Sequence, residues 1–138
     1  MIAYLDSSVI LRVVLRQPEA LAEWNGIVTG ITSALAEVEC LRTMDRLRLL
    51  GQLTADEAVA GRETIYRIVE ALEVVELSPA VMRRASQPLP APLGTLDAMH
   101  LATADLWRES RAKEPIIATH DKALGLAARA TGFKVLGC

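Results

Sequence analysis

Four carboxylates stand at positions where a side chain can take part in chemistry: Asp6, Glu39, Asp97 and Asp121. Asp6 and Asp121 each follow an apolar run, and Asp97 lies near the start of a predicted helix. Clustered carboxylate oxygens are the ligands that hard cations such as Mg²⁺ or Mn²⁺ require. Without a cation, crowded carboxylates repel one another, which raises their pKa values. These four acids, called the carboxylate site below, are therefore a candidate metal site.

Three of the four acids also have a purely structural explanation. Asp is favoured at helix N-caps and in first helical turns, where it meets unpaired backbone N–H groups and the positive end of the helix dipole. Taken one at a time, Asp6, Asp97 and Asp121 can each be explained in this way. Their positions alone do not decide between capping and metal binding.

Glu39 lies in the middle of a predicted helix, between Val38 and Cys40, where capping does not explain it. A carboxylate in apolar surroundings costs free energy unless it is paired or binds a cation. Arg42 and Arg46 follow it on the same face of the helix, so an ordinary helical ion pair is the alternative to metal binding. Both interpretations stay open at this point.

Two histidines lie near these acids in the sequence. His100 comes three residues after Asp97 and could face the same cleft, but a lone helical His among apolar residues is more commonly a packing residue. His120, between Thr119 and Asp121, has the same two interpretations. Neither belongs to a cluster of Cys and His residues, so no zinc site is predicted.

Length and composition limit the class of protein. A chain of 138 residues, 51% of them hydrophobic, is expected to form one globular domain over residues 1–138 without help from disulfides. Its formal net charge of −2 gives no overall attraction to nucleic acid, so a phosphate-binding surface has to be local or assisted by a metal. No signal-peptide pattern or membrane-spanning apolar run is evident, which predicts a soluble cytoplasmic protein.

The elements that would position the four acids alternate between strands and helices. Strands are predicted over residues 2–5, 27–32, 73–77, 115–118 and 133–136. Helices are predicted over residues 7–16, 18–25, 33–50, 54–72 and 122–130, over a short segment from residue 79, and over 96–108 with Thr95 as the cap. This alternation predicts an α/β fold with a central parallel sheet, at whose carboxyl edge Asp6 and Asp121 would lie.

The helix predicted over residues 33–50 is apolar around most of its circumference. A helix of this kind should contact more than the central sheet, so we expect it to contribute to a homodimer interface.

Together these residues resemble the PIN-domain ribonucleases, and most closely the VapC-type toxins of bacterial toxin–antitoxin pairs. The resemblance covers the whole chain and lies in four segments that occur in the family's order. They are Tyr4-Leu5-Asp6-Ser7-Ser8, then Thr32-Ser33-Ala34-Leu35 leading to Glu39-Cys40-Leu41-Arg42, then Leu96-Asp97-Ala98-Met99-His100-Leu101-Ala102, and finally Ala118-Thr119-His120-Asp121 with Ala127-Ala128 and Gly132-Phe133 after it.

The resemblance implies a three-layer α/β/α sandwich in which the carboxylate site converges on one or two Mg²⁺ or Mn²⁺ ions. It also implies supporting hydroxyl groups, which we place at Ser7 and Thr119. The implied activity is metal-dependent hydrolysis of RNA phosphodiester bonds. The implied partners are a VapB-type antitoxin, whose C-terminal segment obstructs the acidic cleft, and a second copy of the chain.

Two other classes of protein remain as alternatives. A phosphatase with an aspartyl nucleophile after the first strand usually has a second Asp two residues later, where this chain has Ser8. A receiver-like α/β domain could bind Mg²⁺ through Asp6 and Asp121 without any nuclease activity. Such a domain would not explain a carboxylate at Glu39.

Overall fold

Five parallel strands form the central sheet of the protein, in a computed structural model that describes residues 1–138. The strands are β1 (Ile2–Leu5), β2 (Thr29–Ser33), β3 (Glu73–Val75), β4 (Ile116–Ala118) and β5 (Val135–Leu136). Their order across the sheet is β3-β2-β1-β4-β5. The strand that ends at Asp6 is therefore the central one, with a parallel neighbour on each side.

Six α-helices connect and cover the strands. They are α1 (Ser7–Val14), α2 (Ala34–Leu49), α3 (Ala55–Glu70), α4 (Pro79–Ala85), α5 (Thr95–Arg111) and α6 (Lys122–Ala130). The side chains of β1 alternate between the two faces of the sheet, as a strand requires. Ala3 and Leu5 join an apolar cluster with α1, α2 and α3, whereas Tyr4 joins a second cluster with α5 and α6. The predicted three-layer α/β/α sandwich is confirmed.

Most of the predicted helix starts are also confirmed. Ser33 accepts a hydrogen bond from the backbone N–H of Leu35 (3.1 Å), at the point where β2 passes directly into α2. Thr54 and Glu57 form the reciprocal capping box at the start of α3. These caps set where α2 and α3 begin, and α2 in turn presents Glu39.

Two helix predictions were wrong. Residues 18–25 do not form an α-helix, because α1 ends in a left-handed turn at Arg16 (φ 52°) and only the 3-10 turn Trp24–Gly26 follows. The buried side chain of Leu21 anchors this segment as an irregular turn. Thr95 is not a cap either: Gly94 occupies the N-cap position of α5, and Thr95 is the first helical residue. The helix continues to Arg111, where Ala112 ends it in the left-handed conformation (φ 49°).

Two strand boundaries were also displaced from the prediction. β2 starts at Thr29 and not at residue 27, since the Val28 side chain is 85% exposed and lies outside the sheet. β5 starts at Val135 because Phe133 is buried among apolar side chains before the strand begins. β3 lies at the edge of the sheet, as its alternating pattern indicated.

The apolar surface of α2 is divided between contacts within the chain and solvent. Cys40 and Met44 are buried in the core beside α1 and α3, whereas Val38, Leu49 and Leu50 are 57–68% exposed. The homodimer stays a prediction. No helix in the protein is both long enough and apolar enough to cross a bilayer.

Candidate active site

Asp6 ends the central strand and is only 3% exposed. Its Oδ1 accepts hydrogen bonds from the Ser8 hydroxyl (2.6 Å) and from the Val9 backbone N–H (3.2 Å), so Asp6 caps α1. Its Oδ2 accepts a hydrogen bond from the Thr119 hydroxyl (2.6 Å). Helix capping therefore occupies Oδ1 of Asp6, and Thr119, which follows β4, donates to Oδ2.

Two hydroxyl groups join the ends of β1 and β4 around Asp6. Thr119 Oγ1 accepts the backbone N–H of Asp121 (2.9 Å), and Ser8 Oγ accepts the backbone N–H of His120 (2.9 Å). The two hydroxyls that donate to Asp6 are therefore those of Thr119 and Ser8, and the supporting roles of Ser7 and Thr119 at a metal site stay predictions. The cap geometry turns Ser8, the second residue after Asp6, back toward its carboxylate.

Glu39 is hydrogen-bonded to a histidine and not to an arginine. Its Oε1 lies 2.5 Å from His100 Nε2, and the opposite ring nitrogen of His100 lies 2.8 Å from the hydroxyl of Tyr4. Arg42 instead forms an ion pair with Asp45 (3.0 Å) one turn further along α2. The helical ion pair considered for Glu39 is absent, and α5 supplies its partner.

The pKa of Asp97 depends on the charges of the other three acids. Burial is the largest cause of its raised pKa, and the negative charge of Asp121 is the next. His100 lowers the pKa in part, but the charges of Asp6 and Glu39 raise it further. The charges of the other three predicted carboxylates therefore all act on Asp97.

Burial is also the main cause of the raised pKa of Asp6, which the hydrogen bonds from Ser8 and Thr119 only partly offset. Asp121 is placed differently, because it caps α6 by accepting the backbone N–H of Leu124 (2.9 Å). The capping interpretation thus holds for Asp6 and Asp121. It does not exclude a second role, since each carboxylate has further lone pairs.

The comparison with known families decides what kind of site this is. A family model described as the PIN domain matches residues 3–130. The chain belongs to the PIN-domain family. The resemblance inferred from the sequence motifs is therefore confirmed.

Known PIN-domain proteins resemble the chain along nearly its whole length. It is 31% identical over 141 residues to a protein named Ribonuclease VapC46 from Mycobacterium tuberculosis, covering 96% of this chain and 95% of that protein. The fold is similar to a toxin–antitoxin complex from Klebsiella pneumoniae (TM-score 0.65, 16% identity, 97% and 95% of the two chains). It is also similar to VapBC2 from Rickettsia felis bound to a promoter DNA fragment (TM-score 0.69, 11% identity, 98% and 97%).

The PIN-domain site has the donor chemistry of a site for a hard cation. Its side chains offer carboxylate oxygens, and burial raises the pKa values of Asp6 and Asp97. For Asp97 the charges of the neighbouring acids raise the pKa further, and a bound cation would offset them. In the present arrangement no three His, Cys, Asp or Glu side chains are grouped closely enough to hold one ion. Asp6 accepts protein hydrogen bonds at both of its carboxylate oxygens, and Glu39 is hydrogen-bonded at Oε1.

The sequence motifs did not reveal three participants in this PIN-domain site: Tyr4, Ser8 and His100. Tyr4 was visible only as the one polar side chain in an apolar strand. His100 was considered either as a packing residue or as a residue facing the same cleft as Asp97; it is 1% exposed and both of its ring nitrogens have partners. The useful signal was its spacing, because a residue three positions after Asp97 lies on the same side of α5.

Proposed function

We propose that the protein is the toxin of a toxin–antitoxin pair and hydrolyses RNA phosphodiester bonds with the help of Mg²⁺ or Mn²⁺ at the carboxylate site. The observation that supports this most directly is the raised pKa of Asp97, to which burial contributes most and the charges of Asp121, Asp6 and Glu39 contribute further. Capping accounts for Asp6 and Asp121, but Glu39 lies in the middle of α2 and caps no helix. Each of the four acids is more easily accommodated when a cation is shared between them.

The class of activity follows from the family, since the similar protein from Mycobacterium tuberculosis is named a ribonuclease. PIN-domain membership also disfavours the phosphatase-like and receiver-like alternatives. Neither alternative accounts for Glu39, which a buried histidine holds at the site.

The four acids divide into two pairs that differ in how firmly the protein holds them. Asp6 is fixed by Ser8 and Thr119, and Glu39 by His100, at distances of 2.5–2.6 Å. Asp97 lies in the first turn of α5, and Asp121 is attached through its cap to α6. When bound, the divalent ion would supply Lewis acidity and a lower pKa for a ligated water. The protein contributes ionised oxygen ligands and a buried setting that strengthens their charges.

We further propose a VapB-type antitoxin and a homodimer as partners, and the cytoplasm as the compartment. The antitoxin proposal is supported by two proteins of similar fold, a toxin–antitoxin complex from Klebsiella pneumoniae and VapBC2 from Rickettsia felis. For the dimer, the support is the exposed apolar side chains of Val38, Leu49 and Leu50 on α2. Light scattering of the purified toxin at several concentrations tests it, and a monomer at all of them contradicts it.

Substitution of Asp6 by Asn tests the proposed function. Asn retains the ability to cap α1 but removes the negative charge. We expect Mn²⁺-dependent cleavage of RNA to fall by at least about 100-fold, because even residues that only support metal ligands contribute 10–100-fold. Expression of the variant should no longer inhibit growth.

Asp45→Asn is the matched control for this experiment, since Asp45 lies on α2 in exposed ion pairs with Arg42 and Arg48. It should cleave RNA as the wild type does. Circular dichroism establishes that both variants are folded. An undiminished cleavage rate in folded Asp6→Asn would refute the assignment.

A further inference from the structure

A buried chain of hydrogen bonds leads from the core of the sandwich to the carboxylate site. The Tyr4 hydroxyl lies 2.8 Å from His100 Nδ1, and His100 Nε2 lies 2.5 Å from Glu39 Oε1. Tyr4 and His100 are each 1% exposed, and their rings meet edge to face with centroids 5.9 Å apart. This Tyr4–His100–Glu39 chain joins β1, α5 and α2, the three elements that also present Asp6, Asp97 and Glu39.

The chemistry of the three groups gives the chain a direction. An ionised carboxylate only accepts hydrogen bonds, so Nε2 of His100 has to carry the proton that points to Glu39. In a neutral imidazole the other nitrogen is then an acceptor, and the Tyr4 hydroxyl has to donate to it. Proton donation therefore runs from Tyr4 to His100 and from His100 to Glu39.

Tyr4 is suited to be the fixed donor of this chain. Its hydroxyl lies 2.8 Å from His100 Nδ1, and the residue is only 1% exposed. Its ring belongs to the apolar cluster that includes Ile31, Leu101 and Ile117, so the hydroxyl is held inside the core beside His100.

We propose that Tyr4 and His100 are positioning residues for Glu39: Tyr4 fixes the Nε2–H tautomer of His100, which holds Glu39 Oε1 and leaves Oε2 free for a divalent cation. The inference rests on the proposed function, in which Glu39 is a metal ligand. It extends that function because it assigns roles to two buried polar residues that are not themselves ligands. Hydrogen-bonded supports of this kind orient metal-binding carboxylates.

Four substitutions separate positioning from packing. His100→Gln keeps an amide N–H near the position of Nε2, whereas His100→Leu removes every donor at similar volume. Tyr4→Phe removes only the hydroxyl. Tyr66→Phe is its matched control, because Tyr66 is 44% exposed on α3, away from the chain.

The first measurement is binding of Mn²⁺ alone to the full-length protein by calorimetry. We expect His100→Leu to weaken binding by about 10–100-fold, in the range found for residues that orient metal ligands. His100→Gln should recover most of that affinity, Tyr4→Phe should lose several-fold, and Tyr66→Phe should match the wild type. In the cleavage assay, His100→Leu should need more Mn²⁺ for half-maximal rate, and saturating Mn²⁺ should restore kcat.

The second measurement is independent of any metal. Nitrogen-15 NMR of the wild-type protein should show His100 as the Nε2–H tautomer, and Tyr4→Phe should produce a mixture of tautomers. An Nδ1–H tautomer in the wild type overturns the proposal, even if His100→Leu fails to fold. So does a Mn²⁺ affinity of folded His100→Leu equal to that of the wild type.

Glu39→Gln separates failure of this inference from failure of the proposed function. If Mn²⁺ binds Glu39→Gln as tightly as the wild type, Glu39 is not a ligand and the proposed site is wrong. If Glu39→Gln loses affinity while the His100 and Tyr4 variants do not, the site stands and the positioning role is overturned.

Discussion

The acidic side chains at the two ends of α5 have opposite electrostatic surroundings. Near its start, Asp97 faces other carboxylates, and burial together with the charge of Asp121 raises its pKa. Near its end, Asp105 forms hydrogen bonds with two arginines, Arg84 of α4 and Arg108 of α5. Arg108 lies one turn further along α5, and its Nη2 is 2.5 Å from Asp105 Oδ1. Arg84 also binds Glu109 and holds the pKa of that carboxyl below its usual value.

This difference distinguishes an acid with a proposed catalytic role from an acid that stabilises the fold. Arg84 joins α4 to the end of α5 through its ion pair with Asp105. Arg108 also stacks on the ring of Phe133 (4.0 Å). No cationic side chain balances Asp97 in the same manner. A partly buried carboxylate without a cationic partner lowers stability, and a cation at the site would remove that cost.

Charge removal should reduce activity at the start of α5 and leave it unchanged at the end, and this is the largest expected difference. Asp97→Asn should reduce Mn²⁺-dependent RNA cleavage by at least about 100-fold, since it removes a proposed metal ligand. Asp105→Asn should leave the rate per folded molecule unchanged. Both are measured on one RNA substrate at saturating Mn²⁺, and equal rates for the two variants would remove the distinction.

Mn²⁺ should stabilise the wild type and fail to stabilise Asp97→Asn. A ligand present at 100 times its Kd adds about 2.7 kcal/mol to the free energy of unfolding. Thermal unfolding with increasing Mn²⁺ measures this as a rise in Tm. Asp105→Asn serves as the control and should show the full rise from its own lower starting point. A similar rise in Asp97→Asn would mean that the ion binds elsewhere.

Loss of the arginine pairing should destabilise the other end of the helix. Asp105→Asn should lower the free energy of unfolding by about 2 kcal/mol, because it leaves two partly buried guanidinium groups with weaker acceptors. Urea denaturation at pH 7 without metal measures the change. Asp45→Asn also loses contacts to two arginines, but at a more exposed place. Asp45→Asn should lower the free energy of unfolding by clearly less than Asp105→Asn does. Equal losses in the two variants would contradict this prediction.

The smallest effects should appear in the pH dependence of stability, with opposite signs at the two ends. The pKa of Asp97 is raised on folding, so its neutral form is favoured, and the metal-free wild type should lose stability relative to Asp97→Asn as pH rises through that pKa. The pKa of Glu109 is lowered, so its contribution is present at neutral pH and lost as pH falls. Unfolding between pH 3 and 8 measures both slopes.

Local sequence patterns were sufficient to predict most of the architecture. The apolar runs before Asp6 and Asp121 placed the two strands that meet at the site, and Ser33 and Thr54 placed two helix starts. The helix over residues 18–25 was wrong because Pro18 and Gly26 suggested helix boundaries, while a single buried anchor, Leu21, holds the segment irregular. Propensity does not measure whether enough apolar surface is available to keep a short helix in place.

The partners within the site were harder to predict than its acids. Residue type and position singled out the four carboxylates, but the contacts of Glu39 join residues 61 positions apart, and Thr119 reaches Asp6 across 113. A local rule, the spacing of charges along a helix, favoured Arg42 for Glu39. Tertiary packing brought α5 beside α2 and supplied His100, which no pattern within either helix encodes.

The placement of β1 in the middle of the sheet also determines when activity can arise during synthesis. β1 and β2 can pair early, but β4 completes the other side of β1 through the register Leu5 to Ala118. Thr119, which holds Asp6, lies just after that strand. The carboxylate site therefore cannot form until almost all of the chain has left the ribosome.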